Sequence, residues 1–280
     1  MTLYYMIIQN QIQQSKTQRH TMSKIRLQAH RGVSSEYPEN TFAAFQAAID
    51  EGYDIIELDP KYTADNHIVI LHDRTVNRTG RRQDGSTLPP DTAIKDLTFA
   101  QARELEYGSW KDPKFKGEKI PSLEELIDFI KAHNIPFKFD NVWETFPPEQ
   151  QEIFLSQLEK ANLGSKIGFT CRKPECFALV AKCFPQAELH WDGANDKATL
   201  EDVVKVAAGH RLTIWVCYDN KLTGWFKGAK ATQELCDMVH QFGEIGIWIL
   251  SQEAELDDTI NVFKANAIET TGHIKPAMLA

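Results

Sequence analysis

Residues 25–59, IRLQAHRGVSSEYPENTFAAFQAAIDEGYDIIELD, hold one complete repeat of the architecture. A short apolar run, IRLQA (25–29), meets a polar turn, then a segment of helical period, then a second apolar run, DIIELD (54–59). Asn40 or Thr41 caps the start of the helical segment and Gly52 ends it. Strand, helix and strand in this order read as a parallel βαβ unit.

The same alternation continues outward along the chain. Further strands are expected at PFKFD (136–140), KIGFT (166–170), AELHW (187–191), LTIWVCY (212–218), EIGIWIL (244–250) and NAIET (266–270). Helical period appears in SLEELIDFIKAHN, which opens on the capping box Ser122-x-x-Glu125, and in PEQQEIFLSQLEKAN, PECFALVAKCF, TLEDVVKVAAG, ATQELCDMVHQFG and EAELDDTINVFKAN. Eight strands alternating with helices over roughly 250 residues predict an α/β fold, a (β/α)8 TIM barrel. An open doubly wound sheet is the alternative, but no glycine-rich dinucleotide turn follows an early strand. One connection departs from the rhythm. Residues 61–121 are rich in Gly, Pro and charge and form an insertion between the second strand and its following helix. HIVILHD, after the turn ADN, reads as an extra strand within it, returning toward the barrel mouth.

Residues 25–280 are therefore read as one barrel and residues 1–24 as an N-terminal extension, whose apolar patch is too short to span a membrane and lacks a signal peptide's basic start and small-residue cleavage site. A net charge of −8 argues against a general nucleic-acid or anionic-membrane surface, so phosphate binding must be local. Five cysteines, Cys171, Cys176, Cys183, Cys217 and Cys236, form an odd, irregular set. They read as buried reduced thiols, and a cytoplasmic home follows.

In a barrel the chemistry sits where strands end. His30 and Arg31 end the first strand, and Gly32 lets the backbone turn there. Glu57 and Asp59 project on one face of the second strand. Two carboxylates there repel unless a cation lies near, and hard oxygen donors suit Mg²⁺ or Ca²⁺ better than zinc. Salt bridges to Arg31 and Lys138 would satisfy them equally well. Lys138 and Asp140 share a face of the third strand, offering an ammonium for a phosphate oxygen and a third metal ligand. His72 ends the extra strand, and two imidazoles near a metal can serve as general base and general acid. Trp248, Trp215 and Trp191 lie near strand ends, where core packing competes with contact to substrate.

HRG (30–32) with PENT (38–41), ELD (57–59), LHDRTVNRTG (71–80), YGSWKDPKFKGEKIPSLEEL (107–126) and the closing apolar strands resemble the glycerophosphodiester phosphodiesterase family. The resemblance runs in order over residues 26–280 and is strongest over 28–126. It implies His30 and His72 as the acid/base pair, Arg31 on phosphate, Glu57 and Asp59 on metal, and Trp248 at the substrate. It further implies hydrolysis of a small-molecule glycerol phosphodiester to glycerol 3-phosphate and an alcohol. The family usually has Glu-x-Lys on its third strand, where this chain has Lys138-x-Asp140, the same charges exchanged. Its eighth strand usually ends Thr-Asp, where this chain has IETTG, so Glu269 either takes an acidic role or caps the barrel. Two alternatives follow from these departures: a different diester, sugar-linked or lysophospholipid, or a barrel that binds phosphorylated ligands without turnover.

Overall fold

The computed structural model describes residues 24–279. The expected N-terminal extension falls almost wholly outside them. Eight parallel strands close a barrel: β1 (Arg26–His30), β2 (Ile55–Leu58), β5 (Phe137–Phe139), β6 (Ile167–Cys171), β7 (Glu188–Trp191), β8 (Leu212–Cys217), β9 (Glu244–Leu250) and β10 (Ala267–Thr270), with β10 pairing back to β1. Each coincides with an expected strand. The remaining two, β3 (Pro60–Tyr62) and β4 (Ile68–Ile70), form a separate antiparallel hairpin inside the insertion. That hairpin sits over a second small apolar cluster built around Val69, Val76, Ala102 and Ile120.

The first connection shows why the sequence folds this way. Thr41 accepts from the Ala44 amide and starts the helix Phe42–Asp50. Its inner face carries Ala44, Phe45, Ala47 and Ala48, so the helix packs close to the sheet, with Phe45 set edge-on against Phe137 at 5.8 Å. Fully burying a Phe of this kind contributes about 1.5–3 kcal/mol. Ser122 and Glu125 make the expected reciprocal capping box at the helix Leu123–Ala132.

Gly32 is the tightest point of the first turn. It lies at φ +77°, and a Cβ there would stand 2.6 Å from the Ala44 carbonyl carbon and oxygen. Backbone atoms cannot step aside as a flexible side chain would. Gly32→Ala should therefore lose about 3 kcal/mol, the sum of left-handed strain and overpacking, read as a lower urea midpoint at unchanged m.

Two expectations are corrected. EAELDDTINVFKAN is not an α-helix but a 3-10 turn, Glu253–Glu255, followed by a π-helical turn, Asp258–Val262. The buried Glu255 carboxylate accepts from the Ser251 and Gln252 amides and from Asn220, a capping box that starts the segment, whose turns then wind as 3-10 and π rather than α. Cys183 is half-buried rather than buried, while the other four cysteines are buried, and all five are free. Below the mouth the barrel interior is polar: Arg26 reaches across the floor to Glu188 at 2.6 Å, Thr213 at 3.0 Å and Glu244 at 3.3 Å. Among the described residues no helix is long and apolar enough to cross a membrane.

Candidate active site

Register builds the mouth of the barrel. His30 of β1 stands opposite Glu57 of β2, which stands opposite Lys138 of β5, so three adjacent strands set an imidazole, a carboxylate and an ammonium side by side. One layer down, Gln28 of β1 pairs with Glu269 of β10. A cavity of about 200 Å³ opens above them. His30, Arg31, Glu57, Asp59, His72, Lys138, Asp140 and Trp248 all line it, as does Glu269. Trp215 lines it as well, whereas Trp191 is packed in the core edge-on to Phe177.

The sequence reading left the connecting groups unassigned. Arg31 adopts φ 60°, which turns its backbone amide onto Glu57 Oε2 at 3.0 Å while its guanidinium reaches Glu39 at 3.1 Å and Asp59 at 3.3 Å. Asn40 donates to Asp59 Oδ2 at 2.8 Å. Arg78 holds both Glu39 oxygens at 2.7 Å and binds Asp73 through Nε at 2.7 Å. Asp73 in turn meets His72 Nδ1 at 2.6 Å. A continuous ionic chain thus runs from His72 through Asp73, Arg78, Glu39 and Arg31 to Asp59. Glu39 and Asn40 lie in PENT and Asp73 and Arg78 in LHDRTVNRTG, so the motifs marked the stretch without marking the roles. Arg172, after β6, and Asp192, after β7, also line the cavity. Applying the strand-end rule to every strand would have found both.

Burial dominates the electrostatics. It holds the His30 imidazole well below its ordinary value, with Arg31 adding to the effect. The ring is neutral near pH 7. Burial also pushes Glu57 well above the ordinary carboxyl value, reinforced by the negative charges of Asp59, Glu269 and Asp140. Burial would raise Asp59 too, but Arg31, His72, Lys61 and the Asn40 hydrogen bond outweigh it and hold that carboxyl low. Asp140 and Glu269 are both raised by burial, and Asp192 is pushed up to about 7 by the same cause. At the outer edge, the hydrogen bond from His72 is the first reason the Asp73 carboxyl is held low. An ionised Asp73 only accepts, so His72 Nδ1 carries the proton and Nε2 is the free ring nitrogen.

Glu57, Asp59 and Asp140 are hard oxygen donors in an anionic, buried pocket, a donor chemistry that fits Mg²⁺ or Ca²⁺. The donors are not preassembled. Among the described residues no three His, Cys, Asp or Glu side chains are grouped closely enough to hold a metal ion as they stand. Asp59 is engaged by Arg31 and Asn40, and Lys138 pairs with Glu269 at 3.2 Å rather than with Glu57.

Residues 30–223 match the glycerophosphoryl diester phosphodiesterase family. Two relatives match part of the chain: a glycerophosphodiester phosphodiesterase of Caldanaerobacter subterraneus subsp. tengcongensis, 42% identical over 102 residues, covering 36% of this chain and 39% of that protein, and glycerophosphodiester phosphodiesterase 1 of Rattus norvegicus, 40% identical over 114 residues, covering 40% of this chain and 32% of that protein. The chain spans about two fifths of the length of curated relatives such as these. Among solved structures, a phosphodiesterase of Oleispira antarctica in complex with its product sn-glycerol-3-phosphate superposes with a TM-score of 0.67 at 20% identity, covering 89% of this chain and 93% of that one. A glycerophosphoryl diester phosphodiesterase from Parabacteroides distasonis superposes with a TM-score of 0.66 at 20% identity, covering 98% and 90%. At these identities the likeness is one of fold.

Proposed function

Since this chain belongs to the glycerophosphoryl diester phosphodiesterase family, we propose that it hydrolyses glycerol-linked phosphodiesters to glycerol 3-phosphate and an alcohol. The observation that carries the reading is the convergence of two imidazoles, several carboxylates and the Arg31 and Lys138 cations on one cavity at the C-terminal ends of the strands.

The neutral His30 ring removes a proton from the attacking hydroxyl, either water or the adjacent glycerol hydroxyl. Its Nε2 lies 4.0 Å from Glu57 Oε2, and its buried Nδ1 has no hydrogen-bond partner. His72, oriented through Asp73 at Nδ1–H, delivers a proton to the leaving alkoxide from Nε2 when both ring nitrogens carry one, and is left as the neutral Nδ1–H ring. Arg31 and Lys138 offset charge on the phosphoryl oxygens as it builds up. Glu57, Asp59 and Asp140 would hold Mg²⁺ or Ca²⁺, which when bound would supply Lewis-acid chemistry.

The leaving alcohol has a place to go. A second cavity of about 650 Å³ shares Arg172, Asp192, Trp215, Phe226 and Trp248 with the first and continues past it between the loops after β7 and β8. Trp248 therefore stands between glycerol phosphate on one side and the alcohol on the other. Incubation with glycerophosphocholine and glycerophosphoethanolamine should release glycerol 3-phosphate, measured by coupled dehydrogenase assay. Glu57→Ala should lower that rate at least about 100-fold. Release of choline phosphate instead would reverse the assignment of the leaving group, and no release from any glycerol diester would end the proposal.

A further inference from the structure

We propose that the Lys138 ammonium is a built-in counter-cation of the acidic mouth, opposing any divalent ion there by like-charge repulsion and keeping that ion's affinity low. The inference deepens the phosphodiesterase reading, but its principal measurement does not depend on turnover.

Lys138 is the middle residue of the three-residue strand β5, and strand alternation turns it into the barrel beside Glu57. Its ammonium is pinned from two sides. Nζ lies 3.2 Å from Glu269 Oε2 and 4.2 Å from the centre of the Trp215 ring. The two side chains of the ion pair are 5% and 8% exposed, and Gln28 holds the same Glu269 oxygen from below. A lysine so enclosed cannot swing into solvent to make way for a metal.

Its charge stands among the acidic groups of the mouth. Lys138 stands in register with Glu57 and lines one cavity with Asp140, Asp192 and Glu269. Asp59 has its own cation in Arg31. Asp59 is thus already paired with a guanidinium, Glu57 and Asp140 share the mouth with a fixed ammonium, and an incoming divalent ion meets positive charge already in place. This accounts for a mouth rich in carboxylates that contains no ready coordination set.

Isothermal titration of the full chain with MgCl₂, CaCl₂ and MnCl₂ tests the idea. Wild type should bind each ion with a Kd in the millimolar range. Lys138→Met, which keeps the side-chain length without charge, should tighten binding at least tenfold, and Lys138→Glu should tighten it further. Micromolar binding by wild type would overturn the proposal without any variant. So would a folded Lys138→Met, verified by circular dichroism, with unchanged affinity. Turnover of glycerophosphocholine should half-saturate in Lys138→Met at a tenfold lower ion concentration than in wild type. Absence of turnover in every protein would count against the phosphodiesterase reading alone, because the calorimetric shift is read independently.

Discussion

His30→Ala should lower kcat for glycerophosphocholine by a factor of about 10²–10⁴, the range general-base catalysis supplies. The ring is nearly enclosed, with a side chain 12% exposed, and a solvent imidazole or water cannot reproduce its position at the end of β1. Because burial depresses its pKa, the base is unprotonated at neutral pH. The acid limb of kcat/KM should therefore fall below pH 6.5 and be absent in His30→Ala. Stability follows the same sign. A histidine whose folded pKa lies below its unfolded one contributes stability above about pH 6.5 that is lost as pH falls toward the folded value, and His190, also held low by burial, adds to the same window. His72→Ala separates the two roles. Replacing the natural alcohol with p-nitrophenol, which leaves without a proton, should restore turnover to His72→Ala and not to His30→Ala. Rescue of both, or of neither, would contradict the assignment of base and acid.

How much of this could be read from the chain follows from what each feature depends on. The barrel strands are short apolar runs buried on both faces, and their signal survives without tertiary context because it depends only on local composition. The ends of those strands pointed to His30, Arg31, Glu57, Asp59, Lys138 and Asp140. The ionic chain through Glu39, Arg78 and Asp73 was out of reach, because it forms only when the insertion folds back over the first turn and brings Arg78 onto a residue 39 positions earlier. The Lys138 and Glu269 pair is separated by 131 residues, and closure of the barrel alone brings it together. Arg26 likewise needs the closed barrel: nothing in IRLQA marks its partners, and it is buried on the barrel floor against Glu188 and Glu244. The segment 253–266 carried helical period and does wind, but as short 3-10 and π turns whose different hydrogen-bond spacing periodicity cannot tell from α.

Arg31→Ala should cost both stability and activity, and the two losses can be separated. The guanidinium serves Glu39 and Asp59, whose side chains are 10% and 5% exposed. Removing one partner of such buried pairs leaves carboxylates uncompensated, at a cost of about 3–5 kcal/mol. Arg78 still covers Glu39 from the solvent side, so most of the deficit falls on Asp59. Asp59 is held low in the folded chain largely by Arg31, and a depressed carboxyl contributes stability above its unfolded pKa of about 3.9 that disappears as pH falls. The stability gap between wild type and Arg31→Ala should accordingly be full above about pH 5 and close as pH falls below 4, in urea melts taken across that range. Arg31→Lys keeps the charge but cannot span two carboxylates with one compact ammonium, so it should recover more stability than activity. At pH 7, where both variants are folded in the absence of urea, kcat/KM should remain about 10²–10³ below wild type in each, because the planar donor on the phosphoryl oxygens is missing from both. Full activity in Arg31→Lys would move the guanidinium out of the reaction and leave it only the task of holding Asp59 and Glu39 in place.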